Sequence, residues 1–137
     1  MPETTHRDTI NAPADDVFAL YAAFGDNSWM GVELSCEGEG VGAIRKVTLP
    51  TGVATEVCEE LDPTERSMQY GLIDGNPFAC SDYHGRITVT PLNPTSCSLE
   101  WTSRYEAEDP VAIDEQLSAF LKRAGGALKR YAESQRA

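Results

Sequence analysis

The chain has 137 residues, the size of one domain spanning 1–137 that buries about two-thirds of its unfolded surface. Hydrophobic residues make up 41% and charged residues 24%, a composition that excludes global disorder. Eleven Lys and Arg against 22 Asp and Glu leave a net charge of −11, which repels phosphate backbones and anionic membranes and excludes nucleic acid as a partner.

The first element in the chain is "TTHRDTI", residues 4–10, a threonine-rich strand. In "NAPADDVFALYAAF" the period changes. Pro13 suits a first helical turn, Asp15 and Asp16 favour a helix N-terminus, and Val17, Leu20, Tyr21 and Phe24 recur at helical spacing. A short second helix is expected through "GDNSWM". From Gly31 to Glu106 the period is two, broken by turn signals at "EGEGVG", "LPTG", "LDPTE", "DGNPF" and "LNPTS", which divide the stretch into six strands.

In the sixth strand overall Tyr83, Gly85, Ile87 and Val89 face one way, with His84, Arg86, Thr88 and Thr90 opposite. The seventh sets Cys97, Leu99, Trp101, Ser103 and Tyr105 against Ser98, Glu100, Thr102, Arg104 and Glu106. One face of each is therefore inside. After Asp109-Pro110 a long helix carries Ile113, Leu117, Phe120, Leu121, Ala124, Leu128 and Tyr131 on one stripe. Gly125 and Gly126 inside it each cost about 1 kcal/mol relative to alanine, so close packing against the sheet is expected there. The class is α+β: strand, two helices, six strands, long helix. Short connections make the sheet an antiparallel meander, and a sheet curved around the last helix leaves a space between them.

The four cysteines, Cys36, Cys58, Cys80 and Cys97, form no C-x-x-C pair, and the scattered acids with two histidines have no metal-ligand spacing. The first residues lack the regions of a signal peptide, and no apolar run approaches the ~20 residues of a membrane-spanning helix. A cytoplasmic protein with reduced thiols, no membrane insertion and no cofactor is expected.

This element order, with "INAPADDVFALYAAF", "GVGAIRKV", "ATEVCEELD", "QYGLIDG", "SDYHGRITVTP", "SLEWTSRYE" and "GGALKRY", resembles the START-like or Bet v 1-like superfamily (SRPBCC), and within it the bacterial polyketide cyclase/dehydrase group. The resemblance covers nearly the whole chain. It implies a helix-grip fold, a curved seven-stranded antiparallel sheet around the C-terminal helix, with an elongated apolar cavity between them. It also implies a hydrophobic, partly oxygenated ligand, polyketide- or lipid-like, with cyclisation or dehydration as the associated chemistry. A non-catalytic carrier or sensor, and a co-chaperone or antitoxin-type module, stand as alternatives. The oligomeric expectation is a monomer or homodimer.

Gly42, Arg45, Glu56, Tyr70, Tyr83 and Trp101 match positions that the superfamily directs toward its cavity. Alternation agrees for the charged pair: Arg45 shares a face with Val47 and Leu49, and Glu56 with Cys58. A hairpin folded about Thr51 sets position 45 opposite 56 or 57. An inward ion pair must be mutually satisfied. It serves as a register-fixing salt bridge, as a ligand anchor through the planar donor fork of Arg45, or as both. Arg45, Glu56 and Tyr83 are the candidates for catalysis. Trp29, Tyr70, Ile87, Trp101, Ser103, Tyr105, Leu117 and Phe120 are the candidates for ligand contact. The loops 49–52 and 74–78 form the expected rim. His84, tempting as a base because histidine titrates near neutrality, is expected outside, and His6 has no evident partner.

Overall fold

Alternation in the strands and the single apolar stripe of the last helix bury the same side of every element, and the computed structural model, which describes residues 1–135, shows the result. Chain order is β1 (Glu3–Ile10), α1 (Ala14–Ala22), β2 (Leu34–Glu37), β3 (Ile44–Leu49), β4 (Gly52–Asp62), β5 (Ser67–Asp74), β6 (Ser81–Asn93), β7 (Ser96–Glu106) and α2 (Pro110–Ser134). The seven strands form one sheet in the order β1-β7-β6-β5-β4-β3-β2, every pair antiparallel. Together with the long α2 this is the helix-grip architecture.

α1 starts directly after Pro13, with Asp15 and Asp16 in its first turn. Its inner face buries Val17 and Tyr21, and the Tyr21 hydroxyl donates to the Arg66 carbonyl oxygen at 2.6 Å. The expected second helix is not there; α1 is the one helix between β1 and β2. The segment "GDNSWM" consists of turns, because its short polar side chains take the backbone groups a helix would pair. Asp26 Oδ1 accepts from the Ser28 amide at 2.9 Å and the Ser28 hydroxyl at 2.7 Å, and Asn27 Nδ2 donates to the Val32 carbonyl at 2.9 Å.

α2 is capped by Asp109, whose carboxylate accepts from the Ala112 amide at 3.1 Å, and Pro110 follows in the first turn. Ile113, Leu117, Leu121, Gly125, Leu128 and Ala132 are buried along it, with Phe120, Ala124 and Tyr131 partly buried. The helix lies closest to β1, β7 and α1, and stands away from β3, β4 and β5. Two ties hold it to β1. Thr4 Oγ1 donates to Asp114 Oδ1 at 2.7 Å, and Lys129 Nζ lies 3.5 Å from Asp8 Oδ1.

Gly125 marks the closest approach. A Cβ there would lie 2.7 Å from Cδ2 and 2.8 Å from Nε2 of His6, which points at the helix from β1. The histidine without an evident partner therefore explains the glycine that interrupts the stripe. Gly125→Ala is expected to lower stability by about 1–3 kcal/mol through this overpacking, less the ~1 kcal/mol that alanine gains in a helix. In thermal unfolding, His6→Ala should remove most of the penalty; strictly additive losses would show that His6 is not the obstacle.

Candidate functional site

On the hairpin β3–β4, Arg45 pairs directly with Glu56 and Ile44 with Val57. Arg45 Nε donates to Glu56 Oε1 at 2.8 Å, with the two side chains 6% and 14% exposed. Nη1 of Arg45 donates to the Phe24 carbonyl at 3.2 Å, and the guanidinium lies 3.9 Å from the Phe24 ring centroid. The charge is thus compensated by a carboxylate, a backbone dipole and an aromatic face, which is what an arginine in this setting requires.

The Tyr70 ring also lies near this guanidinium, 5.6 Å from ring centroid to Cζ. Tyr70 on β5 and Gly85 on β6 are cross-strand partners, and the Tyr70 ring crosses the glycine. A Cβ at Gly85 would collide with Cζ of Tyr70. Gly85 is therefore the notch that lets Tyr70 bend inward, and the space next to it is occupied by that ring.

Three further residues complete the cluster. Trp101 Nε1 donates to the Tyr70 hydroxyl at 3.3 Å, and the Tyr83 hydroxyl shares a 2.6 Å hydrogen bond with Ser103 Oγ. The two tyrosine rings are 6.2 Å apart. Burial pushes the Tyr83 hydroxyl up to about 12, against the hydrogen bonds of Ser103 and Tyr70, with the Glu56 charge raising it further. Burial likewise holds Tyr70 well above the ordinary tyrosine value, followed by the influence of Tyr83 and Glu56. Both hydroxyls are therefore neutral groups, able to donate, over the physiological range. Arg45, Glu56, Tyr70, Tyr83, Trp101 and Ser103 form one polar cluster on the inner face of the sheet.

The other sequence candidates lie around it. Trp29 is buried, packs edge-on against Trp101 at 6.2 Å, and donates from Nε1 to the Leu20 carbonyl at 3.2 Å. Ile87 and Leu117 are fully buried in the sheet–helix core. Tyr105 is there too, its hydroxyl 2.9 Å from Thr4 Oγ1. Phe120 on α2 meets Phe78 of the β5–β6 loop edge-on at 5.5 Å, so the expected rim loop touches the helix. A surface hollow beside that contact is lined by Asn76, Phe78, Cys80, Ser81 and Glu108. A second hollow, on the outer face of the sheet, is lined by Arg7, Thr9, Thr88, Thr90, Ser98 and Glu100.

Sequence reasoning missed the contacts of Phe24 with Arg45 and of Phe78 with Phe120. The helical stripe includes Phe24, but its role rests on a carbonyl oxygen and a ring face that no residue pattern reports. Among the described residues no group of three or more His, Cys, Asp and Glu is arranged to hold a metal ion. The four cysteines are free thiols, with Cys58 and Cys97 buried. No helix among the described residues is long and apolar enough to cross a membrane.

Residues 1–133 match the family model described as polyketide cyclase / dehydrase and lipid transport. Among solved structures, a protein from Nitrosospira multiformis superposes with a TM-score of 0.84 at 19% identity, covering 98% of this chain and 99% of that one. A norcoclaurine synthase point mutant from Thalictrum flavum, in complex with a transition-state analogue, superposes at 0.80 with 23% identity over 98% and 96% of the two chains. The di-domain ARO/CYC protein BexL superposes at 0.81 with 20% identity, over 95% of this chain and 46% of its own. At such identities the structural likeness establishes the fold. No curated protein matches the chain.

Proposed function

Because the chain belongs to the polyketide cyclase / dehydrase and lipid transport family, we propose that it binds a hydrophobic, partly oxygenated small molecule of polyketide or lipid type between the sheet and α2, and that Arg45 and Tyr83 polarise a carbonyl of that molecule. The carrying observation is the joined polar cluster on the inner face. It spans β3 to β7, and α2 stands away from β3, β4 and β5, the strands that hold Arg45, Glu56 and Tyr70. A buried ion pair is weak evidence for stability, since apolar replacements at such sites are often neutral or stabilising. Donors set in apolar surroundings are what an oxygenated chain needs for orientation.

Cyclisation of a linear poly-β-ketone requires a folded chain and a donor where negative charge develops on the attacked carbonyl oxygen. Nη2 of Arg45, the arm that neither Glu56 nor the Phe24 carbonyl takes, and the neutral Tyr83 hydroxyl are such donors. Glu56 aims the guanidinium through its 2.8 Å bond. One observation favours the second reading, a non-catalytic carrier: His84, whose titration would suit proton transfer, faces away from the cluster and bonds to outer-face carboxylates.

The test is product formation from linear poly-β-ketones of several lengths, with and without protein, compared with spontaneous cyclisation in buffer. A product distribution changed by the protein supports catalysis. Identical distributions, with the substrate bound, leave a carrier.

A further inference from the structure

Directly behind the interior cluster, across one layer of sheet, lies a second cluster that the proposed function does not use. His84 sits between two carboxylates, Nδ1 2.7 Å from Glu59 Oε1 and Nε2 3.0 Å from Asp82 Oδ1. Two acceptor-only partners require both ring nitrogens to donate, so the geometry describes an imidazolium. Both carboxylates come from irregular backbone. Glu59 lies in the register shift between Cys58 and Glu60 of β4, and Asp82, at φ 50°, in the shift between Ser81 and His84 of β6.

Gly71 on β5 makes the reach possible. It pairs with His84, and a Cβ there would lie 2.6 Å from Glu59 Oε2, so the carboxylate crosses β5 over a bare glycine. The remaining polar groups facing His84 are engaged. Gln69 Nε2 donates to Glu59 Oε1 at 3.1 Å, Arg86 pairs with Glu60 at 2.7 Å, and Arg104, opposite His84 on β7, pairs with Glu3 at 3.2 Å. Glu106 stands opposite Ser81.

We infer that His84 is a positioning residue for the interior cluster: held between Glu59 and Asp82, it locks the bulged segments of β4 and β6 together and so sets where Tyr83 presents its hydroxyl. Tyr83 is the chain neighbour of both His84 and Asp82 and points through to the other face, where it bonds Ser103. The consequence for ligand binding rests on the function proposed above; the lock itself does not.

Partial burial disfavours the charged ring, but the hydrogen bonds and charges of Glu59 and Asp82 together outweigh it and raise the His84 pKa. A raised folded-state value means that the lock contributes stability below the ordinary histidine value of about 6.5. That contribution is lost as pH rises through the folded-state value.

The test follows the ring resonances of His84 and Tyr83 against pH by NMR, alongside affinity for a fluorescent stearate probe. Tyr83 should shift with the His84 midpoint, and that midpoint should lie above the ordinary histidine value. Gly71→Ala displaces Glu59 without altering an ionisable group; it should lower the midpoint and carry the Tyr83 shift with it. His84→Gln should abolish the Tyr83 shift. Stearate affinity should fall a few-fold above the midpoint in the wild type and stay flat in His84→Gln. Tyr83 resonances that ignore the His84 titration would overturn the lock. Coupled resonances with pH-independent stearate affinity would overturn its effect on binding. A probe that binds at no pH would count against the binding function, while the resonances still decide the lock.

Discussion

Glu56→Ala is expected to destabilise the protein by about 3 kcal/mol, the low end of the range for breaking a buried pair, because the carboxylate retains some contact with solvent. The variant leaves the Arg45 guanidinium with the Phe24 carbonyl and the rings of Phe24 and Tyr70, which are too weak to offset the charge. Arg45→Met should cost a similar amount, since it strands Glu56 and the Phe24 carbonyl together. The double replacement Arg45→Met with Glu56→Leu should cost much less than the sum, because both charges leave at once. Denaturant unfolding of the four proteins measures the coupling; a double variant as unstable as the added singles would show that the two side chains act independently.

On the catalytic reading proposed above, Tyr83→Phe is expected to lower turnover of a linear poly-β-ketone by about 10²–10³-fold, the usual effect of deleting one donor to a developing oxyanion. Binding should change little, since the ring and its apolar contacts remain. Ser103 loses its partner in this variant, so a stability loss of about 1–3 kcal/mol accompanies it, and circular dichroism at the assay temperature must show a folded protein. Ser103→Ala should reduce turnover less, because Tyr83 keeps its donor. Turnover unchanged in Tyr83→Phe would remove Tyr83 from the chemistry.

Much of this arrangement was legible in the sequence, for physical reasons that differ by element. From Tyr83 to Val89 in β6 and from Cys97 to Tyr105 in β7 the burial alternates, so the inward positions of Tyr83, Ile87, Trp101 and Ser103 follow from period two alone. The tight turn at 49–52 sets Arg45 against Glu56, and a turn one residue longer would have set it against another residue. Gly125 was readable as a close contact but not as a contact with His6, because β1 and α2 are brought together only by the order of strands in the sheet.

The segment 25–30 forms turns where the sequence suggests a helix, because Asp26, Asn27 and Ser28 bond locally. The lock behind Tyr83 was hidden for a related reason. Two register shifts bring Glu59 and Asp82 to one histidine, and strict alternation cannot report a shift. Gly71 and Gly85 read as ordinary strand residues until the side chains crossing them, Glu59 and Tyr70, are placed.

The central claim is that a ligand sits against the inner cluster. It is tested most directly by titrating isotopically labelled protein with a long-chain keto or hydroxy acid and mapping the resonances that move. The Trp101 indole N–H, the Arg45 Nε–H and the rings of Tyr70 and Tyr83 should shift together and saturate with one affinity, while Thr88, Thr90 and Ser98 on the outer face stay still. Shifts confined to the outer hollow around Arg7, Thr88 and Thr90, with the Trp101 indole unmoved, would contradict it.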